Sequence, residues 1–459
     1  MFRINSIEPF VMLATLLRWL FLATITGIVV GTGTSLFLQL LFYAMGQTSQ
    51  IPLWFQFTLL PIGGLLNGLL IYFGYRHKKP EHDSIITAVH QQKGILPLKT
   101  LPIKPIAAII TLASGGSAGK EGPSSHIGGT LASWIGRLLH LNPFLQRKLV
   151  ACGVSAGFAS VFGTPIAGAI YAIEILSMGR IRHDYLFAAI IAGVTSFQTS
   201  KFWRITYDYY PFNLSSEFSE TLFLKVIIIG TFCGLTALFF IVMFEEIKIF
   251  FNFIQHRFHI WRPFMPMIGG LVLALLIIFI PTDYLGLSLP IMDSALQGDS
   301  IPFFAFLWKS LLVAITLGSG FYGGIVTPQF VIGALSGNVI AGILGVNPIL
   351  GASVGMVAVV AAASNAPIAA IFMGFELFGS TTGIYVVGAC LAAYLIIGHR
   401  SVYPDQLIAF PKSIWLETKS GSSIGNRDVH LSYSLLRRII RWQRYQAKKR
   451  VKSKPPRKW

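Results

Sequence analysis

Residues 113–123 read Ala-Ser-Gly-Gly-Ser-Ala-Gly-Lys-Glu-Gly-Pro, which sets a lysine and a glutamate among small residues between two apolar stretches. A charged side chain at the centre of a bilayer costs about 3 kcal/mol on insertion scales, so such residues are rare and usually functional. If this run lies inside a membrane, Glu121 is therefore a candidate functional residue. That inference requires the chain to be a membrane protein.

The composition of the chain is that of a polytopic membrane protein. Of its 459 residues, 54% are hydrophobic and 12% are charged, which is too little charge to cover a surface exposed to water. A bilayer core about 30 Å thick requires about 20 apolar residues in a helix. Apolar stretches of about that length lie at residues 14–44, 56–75, 222–251, 263–282 and 382–398. An all-α protein that crosses the membrane several times is therefore predicted.

Many other apolar segments are too short to span a bilayer, and Gly or Pro interrupts them at almost every boundary. They are residues 101–113, 123–139, 148–162, 165–177, 303–318, 328–345, 350–363 and 366–379. Broken helices at membrane depth are tolerated only where they are buried in protein or line a polar pathway. So many in one chain predict a transporter or a channel.

The net charge of +18 is concentrated near the end of the chain. Residues 437–459 contain eleven Lys and Arg and no Asp or Glu. This distribution predicts a cytoplasmic tail beside anionic lipid, and no nucleic-acid partner is expected. Residues 1–411 are thus predicted to form the transmembrane domain and residues 412–459 the basic cytoplasmic tail.

The sides of the membrane follow from the same charges. The basic loop 76–104 is expected on the cytoplasmic side, together with both termini. The loop 207–220 contains Asp208, Glu217 and Glu220 without Lys or Arg, so it is expected to face outside.

The two halves of the chain contain two pairs of similar sequence segments. Residues 163–174 read Gly-Thr-Pro-Ile-Ala-Gly-Ala-Ile-Tyr-Ala-Ile-Glu, and residues 365–376 read Asn-Ala-Pro-Ile-Ala-Ala-Ile-Phe-Met-Gly-Phe-Glu, at an offset of 202. The same offset places Ser117, in the first glycine-rich run, on Ser319 in the second. Corresponding breaks in two halves are a sequence signature of a binding site near the membrane midplane.

Helices that begin inside a membrane attract anions. Their first N–H groups have no partner and hold about half a positive charge. Glycine allows these N–H groups to approach a ligand closely, and proline in the first turn costs no hydrogen bond. Gly122-Pro123 and Thr327-Pro328 fit this design. Two such helix starts are predicted to converge on one anion, with the Glu121 carboxylate competing for the same site.

The motifs resemble those of the CLC family of chloride channels and proton-coupled chloride exchangers. Residues 119–123, Gly-Lys-Glu-Gly-Pro, are similar to the family's Gly-(Arg/Lys)-Glu-Gly-Pro motif, and residues 323–328, Gly-Gly-Ile-Val-Thr-Pro, to its Gly-x-(Phe/Ile/Val)-x-Pro motif. Residues 399–404, His-Arg-Ser-Val-Tyr-Pro, resemble the segment with the family's ion-binding tyrosine. The resemblance covers most of residues 60–410.

This resemblance implies a function, a fold and a set of site residues. Glu121 would be the gate of a voltage- or pH-sensitive chloride pathway, and its carboxylate would leave the anion site when protonated or displaced. The Tyr403 hydroxyl would donate to a central anion. Backbone N–H groups would line the anion path at Lys120, Glu121, Gly122, Ile325, Val326 and Thr327. The resemblance also implies a homodimer with one pathway per subunit, in which residues of about 14–200 and 220–410 form two inverted repeats of tilted, broken helices.

Three departures from the family pattern bear on function. Residues 79–83 read Lys-Pro-Glu-His-Asp where the family has a Gly-Ser-Gly-Ile-Pro loop, so the serine that contacts the central anion is missing. Ile175 stands where exchangers usually have a second, internal glutamate. The chain has no paired nucleotide-binding modules after residue 412, which is typical of the short prokaryotic members and predicts an inner-membrane location.

The sequence is compatible with both the exchanger branch and the channel branch. Ile175 favours a channel or a weakly coupled exchanger, whereas short prokaryotic members are often exchangers. A fluoride-selective branch is an alternative, because the Gly-Gly-Ser-Ala-Gly run and Gly163-Thr-Pro are similar to it while Pro123 argues against it. Protons are a further possible partner of the anion.

Other classes of protein fit the sequence less well. A membrane-embedded enzyme requires a nucleophile and base or a metal cluster, and the chain has no His-Glu-x-x-His and no paired intramembrane aspartates. Its three cysteines lack metal-ligand spacing, so no cofactor or metal is expected. A receptor or scaffold would not need two glycine-rich breaks. Glu174 and Glu376 are expected to cap or pair helices, and His126 to pack within its helix bundle.

Overall fold

The computed structural model describes residues 4–49, 52–75, 84–211, 218–426, 429–432 and 437. Its first half contains helices α1 (Ile4–Ser49), α2 (Leu53–Gly74), α3 (Ile85–His90), α4 (Thr100–Ala113), α5 (Glu121–Leu138), α6 (Pro143–Phe162), α7 (Pro165–Glu174) and α8 (His183–Phe202). Its second half contains α9 (Glu220–Arg257), α10 (Phe264–Leu276), α11 (Leu289–Gln297), α12 (Ala305–Gly318), α13 (Val326–Leu344), α14 (Pro348–Ala363), α15 (Pro367–Phe378) and α16 (Ser380–Ile396). The predicted all-α class is confirmed.

The described residues also contain two short strand pairs. Strand β1 (Ser177–Met178) pairs in parallel with β2 (Leu407–Ile408). Strand β3 (Leu416–Glu417) pairs antiparallel with β4 (His430–Leu431). The first pair ties the segment after α16 to the end of α7, and this connection positions the residues that follow α16.

The membrane spans differ in part from the sequence prediction. Among the described residues, four helices are long and apolar enough to cross a bilayer: Ile7–Thr48, Phe57–Gly74, Glu220–Arg257 and Val326–Leu344. The prediction that 328–345 is too short was therefore wrong, because the helix begins at Val326, two residues before Pro328. The predicted span 263–282 ends early, since α10 stops at Leu276.

Helix starts follow the local sequence rules. Proline occupies the first turn of α6, α7, α14 and α15, where its missing N–H costs no hydrogen bond. Asn142 and Asn347 cap α6 and α14 by accepting backbone N–H groups with their side chains. These breaks divide the apolar sequence into the short helices that a buried pathway requires.

The internal repeat is present, but its register differs from the predicted one. Pro143 of α6 corresponds to Pro348 of α14 at an offset of 205, whereas Pro165 of α7 corresponds to Pro367 of α15 at an offset of 202. Ser319, which caps α12, thus corresponds to Ser114, which caps α4. The predicted match of Ser117 to Ser319 was wrong because the first half has three more residues between its two prolines.

The centre of the molecule is formed by closely packed helices with small residues at their contacts. A Cβ added at Gly128 of α5 would lie 2.0 Å from the carbonyl oxygen of Gly153 in α6. A Cβ added at Gly333 of α13 would lie 2.3 Å from the carbonyl oxygen of Gly355 in α14. Both helix pairs depend on glycine for this approach, as is common within membranes. The contacts hold the beginnings of α5 and α13 in place.

The described part of the predicted tail packs against the transmembrane helices. Lys412 Nζ donates to the Asn365 side chain at 2.6 Å and to the Tyr394 carbonyl at 2.7 Å. Ile424 is buried beside Met178 and Ile408. The basic residues from 438 onward lie outside the described residues, so the predicted lipid contact stays a prediction.

Candidate functional site

The helices α5 and α13 begin side by side in the interior. Gly119 and Gly324, which precede them, exchange two antiparallel backbone hydrogen bonds of 2.8 Å. These residues are equivalent under the offset of 205, so the bridge joins matching points of the two halves. The beginnings of both helices are thereby adjacent, and their convergence on one anion stays a prediction.

Glu121 is the first residue of α5, yet its side chain lies on the beginning of α13. Its carboxylate is buried, with the residue 2% exposed. Oε1 accepts the backbone N–H of Val326 at 2.5 Å, and Oε2 accepts the Thr327 hydroxyl at 2.6 Å. Helix N-termini bind anions at this position. The carboxylate therefore occupies a place where a free anion would find the same two donors.

A glycine next to this carboxylate makes room for it. A Cβ added at Gly324 would lie 2.2 Å from Glu121 Oε1 and 2.7 Å from the backbone nitrogen of Gly122. No side chain fits there while the carboxylate keeps its position. Gly324, directly before Ile325, is thus required by the geometry of the site itself.

Two cavities lie beside Glu121 and its hydrogen-bond partners. One cavity, of about 80 Å³, includes Lys120, Asp208, Asp293 and Thr327 in its lining. The other, of about 180 Å³, includes Glu121, Val326 and Tyr403. By the predicted orientation the first faces outside and the second faces the cytoplasm, so we name them the outer and inner cavities.

The predicted site residues divide between these two cavities. Glu121, Gly122, Val326 and Tyr403 line the inner cavity, and Lys120 and Thr327 line the outer one. Lys120 also lies 5.1 Å from the centre of the Phe42 ring. Ile325 precedes the first turn of α13 without lining either cavity.

The inner cavity is lined by a buried lysine that the sequence interpretation missed. Lys104, which had been assigned to a basic loop, lies in α4 and is 6% exposed. Its Nζ is 3.4 Å from His126 Nδ1, and His126 Nε2 lies 2.9 Å from the Thr100 hydroxyl. A lysine inside the apolar stretch 101–113 was the available signal. His126 is 2% exposed and lines the inner cavity as well.

Tyr403 lines the inner cavity, but its hydroxyl already has a partner. Its Oη lies 2.8 Å from Tyr171 Oη. Ile175 lines the same cavity, so an aliphatic side chain occupies the position where an internal carboxylate would be expected in an exchanger. The divergent segment 79–83, including His82 and Asp83, lies outside the described residues.

Glu174 and Glu376 cap each other's helices across the repeat. Glu174 at the end of α7 accepts the N–H groups of Ile368 and Ala369 in α15. Glu376 near the end of α15 accepts those of Ile166 and Ala167 in α7. The predicted capping role is confirmed, and the two helices are locked by symmetric pairs of bonds.

A tyrosine-rich segment closes part of the outer cavity. The hydroxyls of Tyr207 and Tyr209 donate to the carbonyls of Ser160 and Gly163, each at 2.9 Å. The Tyr210 hydroxyl donates to Asp293 Oδ1 at 2.5 Å. Burial raises the pKa of the Asp293 carboxyl, the bond from Tyr210 opposes that rise, and the charge of Asp208 adds to it. Residues 207–210 thus form an outer strap fastened at three points.

Comparison with known proteins agrees with this architecture. The chain is 32% identical over 412 residues to a chloride/fluoride channel protein of Pseudomonas syringae pv. tomato, covering 88% of this chain and 90% of that protein. It is 25% identical to the voltage-gated ClC-type chloride channel ClcB of Escherichia coli, over 85% of this chain and 91% of that one.

Solved structures show the same fold. A CLC-type fluoride/proton antiporter is 29% identical with a TM-score of 0.79, covering 86% of this chain and 98% of that chain. A slow cyanobacterial Cl⁻/H⁺ antiporter is 21% identical with a TM-score of 0.70, covering 83% and 94%. The family model described as voltage gated chloride channel matches residues 63–398. The chain is therefore an integral membrane protein of the voltage-gated chloride channel family, the CLC family whose motifs its sequence resembles.

Proposed function

We propose that this protein conducts or exchanges small halide anions across the membrane, with Glu121 as the gate of the pathway. One observation supports this above all: the Glu121 carboxylate accepts hydrogen bonds from Val326 N–H and the Thr327 hydroxyl. These are neutral donors at a helix N-terminus, suited to any small anion. The carboxylate is thus an intramolecular competitor for the anion.

The gating mechanism follows from that competition. While Glu121 is ionised, its negative charge holds it at the N-terminus of α13 and repels an entering anion. Protonation removes the charge and weakens both hydrogen bonds, since bonds to an ionised acceptor are about twice as strong. The side chain then leaves, and the outer and inner cavities become continuous. Flux is expected to rise as external pH falls.

The remaining site residues complete a path through the molecule. Lys120 would attract the anion into the outer cavity. Backbone N–H groups of Lys120, Glu121, Gly122, Ile325, Val326 and Thr327 would replace part of the hydration shell, and Tyr403 would donate to the anion in the inner cavity. Lys104 adds a positive charge at that end. Because Ile175 cannot take up a proton, any coupled proton would have to move by way of Glu121 or a group other than residue 175.

Chloride is the main candidate substrate, and fluoride is the second. Fluoride is favoured by the Thr327 hydroxyl, a strong donor placed directly on the anion position. It is favoured also by two relatives, since one is called a chloride/fluoride channel protein and another a fluoride/proton antiporter. Both anions require the same gate.

We also propose a homodimer in the inner membrane of a prokaryote, with both termini cytoplasmic and the basic tail beside anionic lipid. Apolar side chains exposed on the capped helices and the helix after them support a second copy as neighbour: Ile166, Ile368, Phe372, Phe375, Ile384 and Leu391. Crosslinking of the purified protein in liposomes tests the dimer.

The proposed function is tested by flux from liposomes. Purified protein is reconstituted with chloride or fluoride inside, and ion-selective and pH electrodes record both ions in one cuvette. Anion efflux accompanied by proton influx identifies an exchanger, and efflux without protons identifies a channel. Failure to move chloride or fluoride above empty liposomes at external pH 5 would refute the proposal.

A further inference from the structure

A chain of buried hydroxyl and amide groups leads away from Tyr403 into α13. Tyr403 Oη lies 2.8 Å from Tyr171 Oη in α7. The Tyr171 hydroxyl is 3.1 Å from Ser364 Oγ at the end of α14. Ser364 Oγ in turn lies 3.0 Å from Oε1 of Gln329 in α13. This series of hydrogen-bonded groups therefore connects the inner cavity with α13, the helix whose first turn binds the Glu121 carboxylate.

The three groups beyond Tyr403 are buried, although Tyr171 also lines the inner cavity. Gln329 and Ser364 are 0% exposed, and Tyr171 is 2% exposed. The Tyr171 ring stacks on Phe158, with ring centres 4.4 Å apart, which fixes its position. In such surroundings hydrogen bonds strengthen one another along a chain, and each member has few alternative partners.

The direction of the chain is set at its far end by Gln329. An amide oxygen has no proton, so the Ser364 hydroxyl must donate to it. Ser364 Oγ then accepts the Tyr171 proton, and Tyr171 Oη in turn accepts the Tyr403 proton. In this arrangement the Tyr403 O–H points away from the inner cavity and is not available to an anion.

The amide nitrogen of Gln329 indicates a second arrangement of these hydrogen bonds. Gln329 Nε2 is buried and has no hydrogen-bond partner among the residues that the structure describes. If the amide rotates by half a turn, Nε2 donates to Ser364 Oγ. Ser364 then donates to Tyr171, and Tyr171 donates to Tyr403. The Tyr403 O–H is released toward the cavity, and the carbonyl oxygen left unpaired is tolerated better than an unpaired N–H.

We propose that Gln329, Ser364 and Tyr171 form a reversible hydrogen-bond relay that decides whether the Tyr403 hydroxyl donates to an anion or back to Tyr171. The proposal rests on the anion-binding role of Tyr403 in the proposed function and adds three positioning residues to it. No proton is transferred between these groups, since each hydroxyl only rotates. Gln329 follows Val326 by three residues, so the relay ends one turn from the donors of the Glu121 carboxylate.

The relay makes predictions of opposite sign for two changes at one position. Gln329→Glu, when ionised, offers acceptors only, and therefore locks the Tyr403 proton away from the anion. Gln329→Met removes the acceptor, so the hydrogen bonds that join Ser364, Tyr171 and Tyr403 can reverse their direction. One hydrogen bond to a charged group corresponds to about a ten- to hundredfold change in Kd. Anion binding is therefore expected to weaken by about this factor in the first variant and to tighten in the second.

Ser364→Ala provides an independent test through a smaller change. Without Ser364 Oγ, the Tyr171 hydroxyl donates to Tyr403 instead, so anion binding should tighten as in Gln329→Met. The same substitution in a Tyr403→Phe background should leave Kd unchanged, because the hydroxyl it controls is absent. A merely structural role of Ser364 would affect both backgrounds equally.

The experiment is calorimetric titration of the purified full-length protein with sodium chloride and with sodium fluoride, after thermal unfolding has identified which variants are folded. Opposite shifts of Kd at Gln329 that disappear in the Tyr403→Phe background, or a Ser364→Ala effect that requires Tyr403, support the relay; a Gln329→Glu effect that persists without the Tyr403 hydroxyl is repulsion by the added charge. Shifts of one sign at Gln329 together with a Ser364→Ala effect that persists in Tyr403→Phe overturn it, as does an unchanged Kd in all variants. If wild-type protein binds neither anion, the proposed function itself fails, which is a separate result.

Discussion

Thr327→Val tests how the gate is held closed. The Thr327 hydroxyl donates to Glu121 Oε2 at 2.6 Å in an interior where Thr327 is 1% exposed. Valine keeps the shape of threonine and removes the donor. A hydrogen bond to a charged group contributes about 1.5–3 kcal/mol, and one pH unit corresponds to 1.36 kcal/mol. The external pH of half-maximal flux should therefore rise by about 1–2 units, because the ionised carboxylate is held less firmly.

The assay is anion efflux from liposomes over a range of external pH. Since Thr327 is also proposed to contact the anion, flux is measured at saturating anion and normalised to the maximum of each variant. Thr327→Ser keeps the hydroxyl and is the matched control, with a midpoint close to that of wild type. A Thr327→Val midpoint at or below the wild-type pH would refute the role of this bond in gating.

Three further changes probe other parts of the structure. Gly324→Ala should produce anion leak at external pH 8, because its Cβ would lie 2.2 Å from Glu121 Oε1 and displace the carboxylate; leak no greater than in wild type would contradict this. Glu376→Ala removes both hydrogen bonds that cap the beginning of α7 and should lower the free energy of unfolding by about 1–2 kcal/mol. Its thermal midpoint should therefore lie below that of Glu376→Gln, which keeps an acceptor. Burial lowers the pKa of Lys412 to about 6 in the folded protein, whereas an exposed lysine in the unfolded chain has its usual pKa of about 10.4. Between these two pH values unfolding takes up a proton, so the free energy of unfolding decreases as pH falls through this window. Lys412→Met should flatten the dependence of the thermal midpoint on pH there, and an equal slope in both proteins would argue against it.

Local features of the site could be predicted from the sequence because they depend on short-range chemistry. The glycine-rich runs before Pro123 and Pro328 led to two converging helix starts with Glu121 between them, and Gly119 and Gly324 are indeed paired. The capping role of Glu174 followed from its place in the repeat. These inferences required only knowledge of how N–H groups, glycine and proline behave at helix ends.

Features that depend on contacts between distant segments could not be predicted in the same way. The register of the repeat was missed because three extra residues between Pro143 and Pro165 change the offset, and no local pattern marks them. Lys104 was assigned to a loop from its charge alone. The contacts of Tyr171 with Tyr403 and Ser364 join residues 232 and 193 positions apart, which periodicity in the sequence does not report.

The most direct test of the gate is the pH response of Glu121→Gln, which keeps the size of the side chain and removes its charge. Anion and proton fluxes are recorded together from liposomes as external pH is lowered from 8 to 5. Wild-type flux is predicted to rise across this range, whereas Glu121→Gln should conduct at a rate independent of pH and without proton movement. A pH response in Glu121→Gln identical to that of wild type would contradict the assignment of Glu121 as the gate.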